Sequence, residues 1–118
     1  MNHKNNLLLT FDYELFQGKK SGTVMNCLLK PTAKILEILK AHNATAVFFI
    51  DMMYLCRLKE AAREHVKAKT DFDLIEQQIV QMAENGHYVF NHIHPHWLDA
   101  TYNSDKNNWE LTHTSKYS

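Results

Sequence analysis

The chain has 118 residues, which is enough for one small domain with a hydrophobic core, and we expect residues 1–118 to form a single domain. Its 13 Lys and Arg residues equal its 13 Asp and Glu residues in number, so the chain lacks the excess of basic residues that would indicate nucleic-acid binding. No apolar run reaches the length of a membrane span, and the N-terminus lacks the pattern of a signal peptide, so the sequence predicts a cytoplasmic protein.

The first half of the chain predicts a strand, a helix and a second strand. The near-continuous apolar character of residues 6–12 favours a parallel strand buried on both faces. Residues 15–30 follow as an unusually long loop. Pro31 suits the first turn of a helix that ends near Asn43, a residue type that tolerates the left-handed conformation. Residues 44–50 form the second predicted strand.

The second half predicts two more helices and a third strand. One helix runs from Met52 to Lys67, and the next begins at Thr70, where T-D-F-D has the form of a capping box. Gly86 ends that helix, and residues 87–91 form a strand. We expect the polar tail, residues 101–118, to be a loop or a short amphipathic piece. The resulting β-α-β-α-α-β order predicts parallel strands with right-handed connections.

Two short stretches carry candidate metal chemistry. Four of the eight histidines lie within residues 87–96, and three of them follow the apolar run Y-V-F at residues 88–90. Imidazole is the commonest protein ligand for zinc-like metals, but a metal needs several donors at one point. The stretch T-F-D-Y-E, residues 10–14, supplies a second strand end with two carboxylates. Asp12 and Glu14 are two residues apart, so both side chains leave a strand on the same face.

These stretches resemble motifs of polysaccharide deacetylases of the NodB-homology type. Residues 10–14 are similar to the family's T-F-D-D motif. Gly86-His87, followed by N-H-I-H-P-H at residues 91–96, is similar to its G-H-x-x-x-N-H-x-x-x-H motif, and A-T-A-V-F-F at residues 44–49 resembles its second strand. The three occur in the family's order, from Leu7 to Trp97. The resemblance implies an α/β fold with parallel strands, part of a distorted (β/α) barrel.

The resemblance also implies roles for individual residues. His92 and His96 match the two histidine ligands of a divalent metal, for which zinc is the expected ion. Glu14 is the expected third ligand, one residue later than the usual second aspartate, whose position is taken by Tyr13. Asp12 matches the general base that deprotonates the attacking water. The implied reaction removes an acetyl group from an N-acetylated amino sugar and yields acetate and a free amine.

Two further residues are candidate substrate contacts. Trp97 could stack on a sugar ring, although a core position suits it equally well. His94 would share a face with His92 and His96 if the chain stays extended, and Pro95 favours extended geometry at the residue before it.

The resemblance leaves three alternatives open. Family members continue with an Arg segment and a late histidine that serves as general acid, and no counterpart follows Trp97. We therefore expect the N-terminal portion of a deacetylase domain, slow in turnover on its own and prone to homo-oligomerise through its sheet edges. A second hypothesis is an amidohydrolase or PHP-type metallohydrolase that uses His92-x-His94. A third is a non-catalytic half-domain that binds a metal or a partner chain.

Overall fold

The computed structural model of the chain describes residues 5–15 and 21–111, and its main sheet has three strands. These are β1 (Thr10–Tyr13), β2 (Val47–Asp51) and β3 (Tyr88–His92), in the order β1-β2-β3, and both pairings are parallel. The predicted parallel order is therefore confirmed. The predicted start of the first strand at residue 6 is wrong, because Leu7 and Leu8 precede β1 with exposed side chains.

Three α-helices connect the strands. Their bounds are α1 (Lys30–Ala41), α2 (Met52–Ala61) and α3 (Val66–Glu84). A π-helical turn, Met25–Leu29, leads directly into α1, so the later part of the predicted 15–30 loop is helical; residues 16–20 of that loop lie outside the described residues.

The predicted helix ends are partly confirmed. Asn43 and Gly86 have positive φ angles of 51° and 85°, as expected for residues that end α1 and α3. The predicted boundary between the second and third helices is wrong. The second helix ends at Ala61, and His65 in extended geometry precedes the third. Thr70 does not cap a helix, because its hydroxyl donates to the Val66 carbonyl at 3.1 Å within α3.

The segment after β3 is more ordered than predicted. A 3-10 helix (Pro95–Asp99) is followed by an antiparallel hairpin of β4 (Thr101–Asn103) and β5 (Asn108–Glu110). Of the two expectations for this part of the tail, a loop is wrong, because residues 101–110 form a hairpin whose Trp109 is only 3% exposed. The part beyond residue 111 lies outside the described residues.

The two faces of the main sheet have different roles. Phe11 and Tyr13 alternate with Thr10 and Asp12, and in register Phe11 lies beside Phe48 on the buried face. Helix α3 covers this face, as shown by the hydrogen bond from the Tyr13 hydroxyl to Gln78 Oε1 at 2.8 Å. The predicted burial of the first strand on both faces is therefore wrong: Thr10 and Asp12 are exposed on the opposite face.

The connections explain why one face stays open. A strand order of 1-2-3 with right-handed connections places every crossover helix on the same side of the sheet. That arrangement is what a segment of a (β/α) barrel requires, although the described strands form an open sheet and not a closed barrel. Among the described residues, no helix combines the length and the apolar character that a membrane crossing requires.

Candidate metal centre

The carboxyl edge of the main sheet brings the two candidate stretches together. The register pairs Tyr13 with Ile50 and Asp51 with His92, so the residue after Tyr13 continues toward the level of His92. That residue is Glu14. The strands thus place a carboxylate from the first motif beside an imidazole from the second, as parallel strands with a common carboxyl edge must.

Three side chains converge at this edge: Glu14, His92 and His94. His94 Nε2 lies 2.8 Å from His92 Nε2 and 2.5 Å from Glu14 Oε2. His92 Nε2 lies 3.7 Å from the same Glu14 oxygen. All three side chains are partly buried, with 24–32% of each exposed to solvent. The group is therefore partly accessible to solvent.

Hydrogen bonding alone fits this arrangement poorly. A ring nitrogen of neutral imidazole has one in-plane position, occupied either by a hydrogen or by a lone pair. His94 Nε2 nevertheless has two close polar neighbours, His92 Nε2 and Glu14 Oε2. One in-plane position points directly at only one of them, so the other contact is at best a bent, shared hydrogen bond. A cation between the three atoms would accept all three lone pairs at once.

The donor set also has the composition of a catalytic metal site. Zinc takes imidazole nitrogen and carboxylate oxygen at bonds of about 2.0–2.2 Å, so two ligand atoms of a tetrahedral site lie ~3.3 Å apart. The observed separations of 2.5, 2.8 and 3.7 Å lie on either side of that value. Catalytic zinc sites use three protein ligands and keep one position open. The residues present therefore fit a divalent metal.

The family motif indicates His96 as the second histidine ligand. The histidine that joins His92 in the group is His94 instead. The chain is still extended at His94, with φ −115° and ψ 104°, so His92 and His94 leave it on the same side. The 3-10 helix then begins at Pro95 and turns the backbone. The ring of His96 lies 6.1 Å from that of His94, centroid to centroid. The geometric group thus contains the His92-x-His94 pair of the alternative hypothesis.

Comparison with known protein families decides the assignment of the chain. The model of the family described as polysaccharide deacetylase matches residues 2–117. The chain belongs to the polysaccharide deacetylase family. Searches of curated proteins and of solved structures gave no match. The resemblance deduced from the three motifs is confirmed, and the observed α/β fold with parallel strands is consistent with that of a deacetylase.

The deacetylase motif T-F-D-D is altered here in a way that the strand geometry explains. Tyr13 occupies the position of the second aspartate, but its side chain is 4% exposed and lies on the helix-covered face. Burial raises the pKa of Tyr13 far above its ordinary value of 10.0. Side chains alternate along a strand, so the open face at this edge belongs to Asp12 and Glu14. Asp12 is exposed, and two residues of strand separate its Cα from that of Glu14 by about 6.6 Å.

Trp97 is a core residue in this member of the family. Its side chain is 0% exposed, and its ring packs 4.7 Å from Tyr54 and 5.8 Å from Trp109, measured between centroids. A fully buried indole has no face to offer to a sugar ring, so the position of Trp97 contradicts its predicted role as a stacking surface. The indole N–H donates to Asp51 Oδ2 at 2.6 Å instead.

Two further residues, His87 and Asp51, have structural roles. His87 is buried, and its Nδ1 accepts the backbone N–H of Ala46 at 3.1 Å, as expected for a packed histidine outside the site. Burial lowers the pKa of His87. Asp51 caps helix α2 by accepting the Tyr54 backbone N–H at 3.3 Å. Burial raises the pKa of Asp51, and the hydrogen bonds from Tyr54 and Trp97, together with the nearby His94, partly oppose that rise.

Proposed function

We propose that this deacetylase is metal-dependent and acts on N-acetylated amino sugars, with a divalent metal, most simply zinc, held by Glu14, His92 and His94. The carrying observation is the convergence of these three ligand atoms within 4.8 Å at the carboxyl edge of the sheet. The family match supports the substrate class, because it identifies a polysaccharide deacetylase domain. The two supports are independent, since one is geometric and the other rests on the whole chain.

Asp12 is the proposed general base. It is exposed on the open face of β1, on the same side as Glu14, and carboxylates commonly accept a proton from attacking water. A divalent metal in such a site polarises a carbonyl oxygen and lowers the pKa of water. Asp12 would take one proton from the water while the oxygen of that water adds to the acetyl carbonyl carbon. The C–N bond then breaks, the nitrogen takes up a proton, and acetate and a free amine leave.

The decisive experiment measures zinc affinity in single histidine variants. We expect His92→Ala and His94→Ala to weaken zinc binding strongly, because each removes one of three ligands, whereas His96→Ala should keep it. His42→Ala is the matched control, because His42 is an exposed histidine at the end of α1. Competition with a chromophoric chelator gives the dissociation constants.

The opposite result has a clear meaning. Loss of zinc affinity in His96→Ala together with retention in His94→Ala would establish the H-x-x-x-H pair of the family motif and remove His94 from the site. Undiminished affinity in all three variants would refute a metal at this edge of the sheet.

Acetate release from chito-oligosaccharides tests the catalytic half of the proposal separately. Asp12→Asn should retain zinc and lower the rate by about 100- to 10,000-fold, the usual contribution of a positioned base. If Asp12→Asn loses zinc, Asp12 is a ligand and not a base. The amidohydrolase-type alternative shares the His92-x-His94 pair, and it would be favoured by zinc binding with hydrolysis of amides that carry no sugar.

A further inference from the structure

Asp51 is a buried carboxylate at the junction of strand, helix and metal centre. It is the last residue of β2 and is 1% exposed. Its side chain accepts hydrogen bonds from the Tyr54 backbone N–H at 3.3 Å and from the Trp97 indole N–H at 2.6 Å, and the His94 backbone N–H lies near enough to stabilise its ionised form. Two of these donors belong to the segment that follows β3. The carboxylate therefore joins the start of α2 to the candidate ligand segment.

Helix α2 also holds the other end of that segment. Arg57 donates from Nε to the Trp97 carbonyl at 3.1 Å and from Nη2 to the Ala100 carbonyl at 2.7 Å. The 3-10 helix is thus fixed at its start by Asp51 and at its end by Arg57. Both residues lie on the continuous stretch from the end of β2 into α2, so one rigid element determines where the backbone of His94 lies.

We propose that Asp51 is a positioning residue of the metal centre, which holds His94 Nε2 at the point where it meets Glu14 and His92. This inference rests on the proposed function, since it assumes that His94 is a ligand. An ionised carboxylate offers only acceptors and can serve all three donors. Groups that orient a metal ligand through hydrogen bonds commonly change metal affinity 10- to 100-fold when they are replaced.

Asp51→Asn is the sharpest variant. Asparagine is as good a helix N-cap as aspartate, so the Tyr54 contact and the size of the residue are kept. Its amide nitrogen is a donor, however, and would face the Trp97 indole N–H or the His94 N–H, which are donors as well. Trp97→Phe removes the indole donor while it keeps an aromatic ring. It therefore breaks the hydrogen bond between Asp51 and Trp97, here called the clamp, from the other side. It also preserves the test if Asp51→Asn does not fold.

The experiment measures zinc affinity in folded protein, with Ile75→Val as the control for general core damage. Ile75 is a fully buried residue of α3 and belongs to neither the clamp nor the ligand group. We expect about a 10- to 100-fold weaker zinc affinity in Asp51→Asn, a smaller loss in Trp97→Phe, and no change in Ile75→Val. Equal affinities in Asp51→Asn and Ile75→Val would overturn the proposal.

A second readout works without metal. Hydrogen exchange of the His94 backbone amide should be slow in the wild-type protein and faster in Asp51→Asn, while exchange in the middle of α3 stays the same. If the wild-type chain binds no zinc but this difference is present, the proposed metal function fails and the positioning of His94 by Asp51 stands. If His94 exchange is unchanged in Asp51→Asn, the positioning role is refuted.

Discussion

Replacing Tyr13 with aspartate would restore the family's T-F-D-D motif, and we expect the result to be an unstable protein and not a better enzyme. Tyr13 lies on the helix-covered face, 4% exposed, with its hydroxyl on Gln78 Oε1. Removing a large aromatic side chain from a core costs about 3–5 kcal/mol. Leaving the buried Gln78 oxygen without its donor costs a further ~1–3 kcal/mol.

The combined loss is large for a domain of this size. It amounts to about 4–8 kcal/mol before the new carboxyl group is desolvated, whereas small domains have total stabilities of about 5–15 kcal/mol. Urea denaturation followed by circular dichroism measures the change. Tyr13→Phe is the matched control: it keeps the ring and loses only the hydrogen bond, so we expect ~1–3 kcal/mol of destabilisation and an unchanged zinc affinity.

One outcome would refute this reasoning. If Tyr13→Asp were as stable as the wild-type protein, and if Tyr13→Asp combined with Glu14→Ala still bound zinc, residue 13 would face the metal centre. The alternation of β1 would then be shifted by one residue, which would move Asp12 and Glu14 to the covered face.

Three further predictions address stability and assembly. The lowered pKa of His87 means that the unfolded chain binds a proton more readily than the folded one, so this contribution to stability is complete above pH 6.5 and falls as the pH drops below it. His87→Asn should therefore reduce the difference between the urea midpoints at pH about 7.5 and about 5.5, and an unchanged difference would contradict this. Gly86→Ala should lower the free energy of unfolding by about 1–2 kcal/mol through the φ of 85° alone, because an added Cβ meets no atom within 4 Å. Gly86→Asn should lower it less, and equal losses in the two variants would point to another cause. Sedimentation should show a dimer or a larger species, because β3 is an outer strand of the described sheet and exposes Tyr88 and Phe90. A monodisperse monomer would contradict this prediction.

The amino-acid sequence by itself determined the parallel sheet and the two stretches at its carboxyl edge. Apolar runs, helical spacing and the residues Asn43 and Gly86 are local signals, and each acts through the conformation of its own segment. The order of the motifs was sufficient for the family, which the match over residues 2–117 confirms. It could not decide between His94 and His96, because the choice depends on where the extended chain ends.

The tertiary structure decided which side chains meet. The chain turns at Pro95, and the side chain that lies beside Glu14 is that of His94. Packing, and not pattern, made Trp97 a core residue, because Asp51 supplies an acceptor for its indole N–H inside the protein. Packing also makes Trp109 a core residue: its strand pairs with β4 across a turn, and its ring packs against Trp97. Contacts between segments far apart in the chain have no local signature, so only the folded molecule shows that Asp51 and Arg57 contact the segment that follows β3.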